Sequence, residues 1–452
     1  MAKNINMTEG KPLRLLLQFA MPLMLGNVFQ QMYTVTDTAV VGQGVGMTAL
    51  AAIGTVDWTI WMVFSIAQGF AQGFSVRMSM KVGQRDIEGL KHTIAYSARL
   101  CIFITVLLVA AAFAGLPLLL DLLNVSDELY PYSHLYASIL FAGVPAVMFY
   151  NFSASVLRSI GNSSTPFIAM VISSVTNIVL DIIAVFVLKT GLAGAAVATI
   201  IAQLVSGFFC LRVLIRSADT HFRASDMLAF DRQLGKELIR LGAPVAGLNL
   251  VISIGGIIVQ SVVNRFDTSF IAGYAATNKL YGLLEIAALS FGNAVAVYAG
   301  QNMGCGNIRR IEKGVHAALI LAIGTSIVVG VVMIIFGRSI TGIFLNADTP
   351  EMLKAASDTA YTFLCVMSSM LPVLYLIYIY RNAIHGMGNT FLPMFSGIAE
   401  SVCRVIVALI VATIGKPSGI FAAEVTAWVF AVAILVPAYY IQMSKLKKKT
   451  SV

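Results

Sequence analysis

The chain has 452 residues, 58% of them hydrophobic and only 11% charged, with a net charge of +9 and a mean hydropathy of +0.86. A soluble domain carries about 25% charged residues, so this composition excludes a water-soluble globular protein and makes the bilayer its solvent. Five scattered cysteines (Cys101, Cys210, Cys305, Cys365 and Cys403) show no CxxC or CxxH spacing, which argues against a disulfide framework or a zinc site.

Residues 1–10 are polar and run straight into a full-length apolar segment, which does not fit a cleaved signal peptide. A bilayer crossing takes roughly 20 apolar residues. On that measure, helices are expected near 13–40, 50–76, 92–115, 131–155, 165–188 and 193–215. A second set is expected near 236–262, 270–300, 315–337, 355–384, 391–414 and 418–442. The longest polar stretch, "RSADTHFRASDMLAFDRQLG" at 216–235, separates two sets of six. The expected architecture is therefore an all-α integral membrane protein of twelve spans. It has an N-terminal lobe at 1–215, a cytoplasmic linker at 216–235 and a C-terminal lobe at 236–452 that ends in a basic tail.

Basic residues fix the expected orientation. Lys3, Lys11 and Arg14 precede the first span, and Arg77, Lys81, Arg85 and Lys91 follow the second. Arg212, Arg216, Arg223, Arg232, Lys236 and Arg240 surround the linker. Arg309, Arg310 and Lys313 follow the eighth span, and Lys445, Lys447, Lys448 and Lys449 form the tail. With twelve spans all of these lie on one side, whereas the opposite loop "NVSDELYPY" is acidic. The positive-inside bias puts both termini in the cytoplasm of a multi-pass cell-membrane protein. It also explains most of the positive charge without a nucleic-acid partner.

The two sets resemble copies of one another. Pro22 in "QFAMPLMLG" matches Pro244 in "RLGAPVAGL", and "TALAAIGT" echoes "FIAGYAAT". "KVGQRD" echoes "YAGQNMG", and "LRSIGNSSTP" aligns Gly161, Asn162 and Pro166 with Gly388, Asn389 and Pro393. Six-helix repeats keep their orientation, so the expected relation is a pseudo-twofold axis along the membrane normal. Transporters of this build bind substrate between or within their halves.

Polar residues inside the spans mark candidate sites. Asn27, Gln30, Thr34 and Asp37 step along the first span by three, four and three residues, forming one stripe. Asn177 and Asp181 lie one turn apart in the fifth span, and Thr199 and Gln203 one turn apart in the sixth. Two carboxylates, an amide and a hydroxyl suit either a hard cation held by oxygens or a carboxylate pair sharing a proton. The competing reading is that Asn177 and Thr199 only bond helices together, at about 1 kcal/mol or less per contact. That reading is weaker for Asp37 and Asp181, because an unpaired carboxylate within a bilayer is expensive.

The two six-helix sets, the proline of the first span, Asp37 and the Asn177, Asp181 and Thr199 set resemble the multidrug and toxic compound extrusion (MATE) family over essentially the whole chain. The resemblance implies a cation site for H⁺ or Na⁺ at Asp37, Asn177, Asp181 and Thr199, with Pro22 as the hinge of the first helix. It also implies antiport of small lipophilic, mostly cationic compounds by a monomer without a cofactor. Gln30, Thr34, Gln203, Asn278, Tyr281 and Glu285 are candidates for the substrate cavity.

The second half departs from the first. Arg404 replaces Asn177 and Glu424 replaces Thr199 in the repeat alignment, and Glu400 sits one turn before Arg404. A salt-bridged structural network is the favoured reading of these three. Asp57, beside Trp58 and Trp61, is a possible mouth residue without an assigned role.

Other functions are less well supported. No Walker motif GxxxxGK[ST] appears, which argues against direct ATP drive. A lipid-linked saccharide flippase needs a cationic cavity, and Arg265 alone hints at one. An intramembrane enzyme needs a catalytic dyad or metal ligands, yet His92, His134, His221, His316 and His385 lie mostly near loops without HExxH spacing. No repeated filter-like loop suggests a channel.

Overall fold

The structure is a computed structural model that describes residues 4–123, 125–217, 220, 226, 231–342, 345, 349–415 and 417–450. Residues 218–219, 221–225 and 227–230 of the linker, including Arg223 and His221, lie outside the described residues, as does Lys3.

The first half consists of α1 (Pro12–Gly44), α2 (Met47–Gly83), α3 (Ile87–Leu122), α4 (Tyr130–Ala142), α5 (Val144–Ser159), α6 (Ser164–Ile182) and α7 (Gly191–Arg216). The second consists of α8 (Arg232–Val263), α9 (Thr268–Gly304), α10 (Ile308–Gly342), α11 (Pro350–Ser369), α12 (Leu371–Gly386), α13 (Phe391–Ile414) and α14 (Ile420–Thr450). Among the described residues, 10 helical stretches are each long and apolar enough to cross a bilayer. Two further pairs, α4 with α5 and α11 with α12, pass only together, bent by 43° and 50°; each counted as one span gives 12.

Both bends fall in the fourth span of a half, and both have the same cause. Pro145 and Pro372 are the second residues of α5 and α12. Proline lacks the N–H that would continue the preceding helix but suits the first turn of a new one. Elsewhere the helices outrun the apolar windows of the sequence. The 37 residues of α2 span about 55 Å at 1.5 Å per residue, well beyond a 30 Å hydrocarbon core. The excess lies in its polar end, where Lys81 pairs with Asp86 at 2.6 Å. Asp86 caps α3 by accepting from the Gly89 N–H at 2.8 Å. Lys81, and then that N–H, hold its carboxyl below the ordinary range.

The chain forms two compact units. One comprises Met1–Glu9, Met21–Ser253 and Gly300–Cys305; the other comprises Gly10–Ala20, Ile254–Ala299 and Gly306–Val452. Helix α1 runs unbroken through Pro22 and changes unit between Ala20 and Met21. The first unit has two buried apolar clusters, one around Phe74, Met78 and Leu157, the other around Val56, Leu116 and Phe141. The second unit has stacked rings, Tyr274 on Phe363 at 5.0 Å and Phe363 on Phe421 at 4.7 Å. Outward faces of α3 and α10 expose Ile102, Val106, Ile320 and Val328, the pattern of helices solvated by lipid.

The repeated glycines explain themselves in the turns before α6 and α13. Gly161 and Gly388 both have φ +86°, a left-handed conformation that glycine adopts without strain. The next residue caps the helix in each case: Asn162 Oδ1 accepts from Thr165 N at 2.9 Å, and Asn389 Oδ1 accepts from Leu392 N at 3.2 Å. Pro166 and Pro393 then occupy the third position of their helices, where no intrahelical N–H bond is lost.

The first of these turns also anchors the N-terminal segment. Ile5 N donates to Gly161 O at 3.0 Å, and Met7 is fully buried. Met7 N donates to Gln301 Oε1 at 3.0 Å, and Met7 O accepts from Asn302 Nδ2 at 3.0 Å. Gln301 Nε2 donates to Ser159 O at 2.8 Å. A Cβ at Gly161 would collide with the Ile5 carbonyl oxygen. Gly161→Ala is therefore expected to destabilise the protein by about 1–3 kcal/mol from backbone strain, with the displaced N-terminal segment adding to it. Thermal unfolding of the purified variant checks this.

Candidate functional site

Three helices of the first unit bring the polar residues of the membrane interior together. Helix α1 supplies Tyr33 and Asp37 one turn apart, α6 supplies Asn177 and Asp181, and α7 supplies Thr199 and Gln203. Asp181 is 0% exposed and Asn177 2%, while Asp37 is partly buried. Asn177 Nδ2 donates to Thr199 Oγ1 at 3.4 Å, a long bond that ties α6 to α7. Thr199 Oγ1 donates in turn to Ala195 O at 3.2 Å. The Asp37 and Asp181 carboxylates are close enough to act on one another.

The electrostatics of this corner are one-sided. Asp37 Oδ1, Asn177 Oδ1, both carboxylate oxygens of Asp181 and Gln203 Oε1 are buried without a hydrogen-bond partner. Among the described residues, no basic side chain forms an ion pair with Asp37 or Asp181. Buried polar atoms are nearly always satisfied, so a set of orphaned oxygens needs an explanation. The atoms are all acceptors, which fits a proton or a hard, oxygen-seeking cation. Directly beyond Asp181, α6 widens into a π-helical segment, Ile183–Val187, the kind of distortion that recurs at functional sites.

Sequence reasoning missed two tyrosines here. Tyr33 lies in the field of both carboxylates, and its one-turn spacing from Asp37 was the available signal. Tyr136, buried on α4, feels Asp37, Asp57 and Asp181. Nothing in the sequence pointed to it, because α4 reaches the site only through tertiary packing. Gln30 and Thr34 are exposed on α1, and the Thr34 hydroxyl donates to Gln30 O at 3.0 Å. Asp57 is exposed on α2 beside Trp58 and Trp61, whose rings meet edge-on at 5.8 Å.

The second unit handles its carboxylates differently. Glu285 on α9 accepts from Tyr378 Oη at 2.8 Å, and Tyr281 also acts on it. The Tyr281 ring stacks on Trp428 at 6.2 Å, and Asn278 bonds Tyr274. Below them runs a continuous chain of ion pairs. Arg381 meets Glu400 at 2.7 Å, Glu400 meets Arg404 at 2.9 Å, and Arg404 meets Glu424 at 3.0 Å. Arg381, on α12, is a member that the sequence gave no reason to include.

The repeat alignment links these two corners. Asn177–Thr199 joins α6 to α7, and Arg404–Glu424 joins α13 to α14. The 227-residue offset sets Arg404 opposite Asn177, but it sets Thr426 rather than Glu424 opposite Thr199, which corrects the sequence expectation for Glu424. The carboxylates have no counterpart: the 222-residue offset of Pro22 and Pro244 sets Val259 opposite Asp37, and the 227-residue offset of Gly161 and Gly388 sets Ala408 opposite Asp181. Both are buried apolar residues.

Comparison with known proteins gives a consistent result. The family model described as MatE matches residues 22–183 and 244–410, one stretch in each half. A probable multidrug resistance protein of Bacillus subtilis, YpnP, is 30% identical over 345 residues, covering 76% of this chain and 77% of the relative. In fold, the chain is similar to a MOP superfamily transporter from Pyrococcus furiosus, with a TM-score of 0.92, 22% identity and 99% of each chain covered. It is also similar to an outward-facing multidrug resistance transporter of the MOP superfamily, with a TM-score of 0.91, 22% identity and 99% coverage of each.

The ion-pair chain yields a direct test. Arg404→Ala leaves Glu424 buried without its cation, while Glu400 keeps Arg381. Stranding a buried charge costs about 3–5 kcal/mol. The variant is expected to lose thermal stability and yield, and adding Glu424→Gln is expected to restore part of it. Melting curves of the single and double variants decide this.

Proposed function

Because the chain belongs to the multidrug and toxic compound extrusion (MATE) family, we propose that it is a secondary antiporter exporting lipophilic, mostly cationic compounds in exchange for H⁺ or Na⁺. The observation that carries this reading is the pair of carboxylates, Asp37 and Asp181, buried beside orphaned amide oxygens and without a basic partner among the described residues. Two anions in a low-dielectric corner repel each other. A proton or sodium ion relieves that repulsion, so the energy of the site depends on the coupling ion.

In this reading Asp37, Asn177, Asp181 and Thr199 hold the coupling ion. Gln30, Thr34, Gln203, Asn278, Tyr281 and Glu285 contact substrate. A lobe at 1–215 and a lobe at 236–452, joined by a cytoplasmic linker, alternate between two access states, and α1 flexes at Pro22, where its helix lacks one backbone hydrogen bond. The Glu400, Arg404 and Glu424 network is structural. The protein acts as a monomer in the cell membrane with both termini in the cytoplasm, the side favoured by its basic loops. Substrate binding and ion binding are coupled because both act on α1. A lipid-linked saccharide would need free buried cations for its diphosphate. Arg381 and Arg404 are already engaged by carboxylates, which leaves Arg158 on α5, bonded to the Ser155 hydroxyl at 2.8 Å, as the one that reading would have to use among these three.

Transport by purified protein in liposomes, under imposed proton or sodium gradients, tests the reading with fluorescent cationic dyes. Asp37→Asn and Asp181→Asn are expected to fold normally and to lose gradient-driven export by at least about tenfold, since the amide keeps the shape without the charge. Thr199→Ala is expected to weaken export only a few-fold, because water replaces a neutral ligand. Full gradient-driven export by Asp37→Asn removes that residue from the mechanism. In an efflux-deficient host, Glu285→Gln is expected to narrow the range of cations against which expression protects.

A further inference from the structure

A cavity in the first unit lies apart from the residues of the carboxylate corner. It occupies about 580 Å³ between α3, α5 and α7, with walls that include Ile94, Ile102, Val106, Met148, Phe152 and Leu214. On its outer side Ile102 is 60% exposed, Val106 63% and Ile215 54%, so the cavity opens where the helices face lipid. Among the described residues, no carboxylate lines it.

Its dimensions match one leaflet. From Ile94 to Val106 the wall follows α3 for twelve residues, about 18 Å at 1.5 Å per residue. Half of a 30 Å hydrocarbon core is about 15 Å. The groove is therefore as long as an acyl chain within a single leaflet.

One end of the groove is basic. Helix α3 begins just past Arg85, and α7 ends at Arg216, so Ile94, Leu214 and Thr220 lie toward the end that carries the Lys- and Arg-rich loops. Arg212 and Arg216 each follow a lining residue, Leu211 and Ile215, and lie one turn apart on α7. Both are exposed, and among the described residues neither forms an ion pair. Arg99 shares the face of α3 that carries Ile102 and Val106, and its guanidinium lies 4.1 Å from the centroid of the Tyr96 ring, toward the same end.

We infer that this groove is a binding site for an anionic phospholipid of the leaflet that the basic loops face. One acyl chain fills the groove, and the phosphate meets Arg212 and Arg216. The charge selects the occupant. A lipophilic cation finds an apolar wall but is repelled by the guanidinium groups that α7 carries next to the lining residues, whereas an anionic headgroup is attracted to them. The site bears on transport through α7, which carries Leu211 in the groove wall and Gln203 two turns earlier beside Thr199. An occupant braces the helix that supplies part of the carboxylate corner.

Native mass spectrometry of delipidated protein, titrated with phosphatidylglycerol or with phosphatidylcholine of identical acyl chains, tests this. Phosphatidylglycerol is expected to give one tight adduct that phosphatidylcholine does not. The double variant Arg212→Gln/Arg216→Gln is expected to weaken that adduct about tenfold or more. Arg309→Gln/Lys313→Gln, which removes the same charge elsewhere, is expected to leave it unchanged. Ala98→Phe, which fills the groove, is expected to abolish the adduct while circular dichroism stays helical. Equal binding of the two lipids overturns the inference. So does an adduct unaffected by the Arg212/Arg216 change, or tetraphenylphosphonium binding that Ala98→Phe blocks while phosphatidylglycerol binding persists.

Discussion

A carboxylate within a bilayer costs roughly 2.5–3.5 kcal/mol on insertion scales, and the two halves of this chain answer that constraint in opposite ways. In the second half, Glu400 and Glu424 are neutralised by Arg381 and Arg404 through contacts of 2.7–3.0 Å. In the first half, at the equivalent helix pair, Asn177 and Thr199 share only a long neutral hydrogen bond. Beside them Asp37 and Asp181 face each other without a basic partner among the described residues. An anion already paired by arginine has little to gain from a proton or a sodium ion. Glu285 of the second half also lacks an arginine and is held by Tyr378 at 2.8 Å. What sets the first-half corner apart is two carboxylates that act on one another without a basic partner among the described residues, and the proposed coupling role rests on that difference.

The same repeated framework supports both solutions. Gly161 and Gly388 share a φ of +86°, the following asparagines cap α6 and α13, and Pro145 and Pro372 break the fourth span of each half. These features depend on backbone chemistry and have persisted in both copies. The side chains that project into the interior have diverged: Val259 and Ala408 stand opposite Asp37 and Asp181. The backbone plan sets where helices meet, and a few substitutions set what each meeting point does.

The twelve-span plan could be read from the sequence because hydropathy acts over whole windows, and the lipid-facing residues of α3 and α10 carry no competing signal. Helix ends were less legible, since polar termini such as the Arg77 to Gly83 end of α2 remain helical outside the apolar window. The bends at Gly143 and Met370 had a signal in the prolines that follow, but long apolar runs masked it. The pairing of Glu400 with Arg404 followed from one-turn spacing. Arg381, Tyr378 and Tyr136 reach their partners from other helices, so no periodicity within a single segment could have revealed them. The cost of a carboxylate within the bilayer singled out Asp37 and Asp181, and family resemblance put them in one site, because spacing along one helix says nothing about which helix lies beside it.

The proposed function has the Asp37 and Asp181 pair exchange a coupling ion against cargo. Its most direct test is the ion released when a lipophilic cation is added to purified protein, followed with a pH indicator in weak buffer and a sodium electrode in parallel. Protons or Na⁺ are expected to be released in proportion to bound cation, and that release is expected to be lost when both carboxylates are changed to asparagine. Undiminished release from that double variant, with cation binding intact, would contradict it.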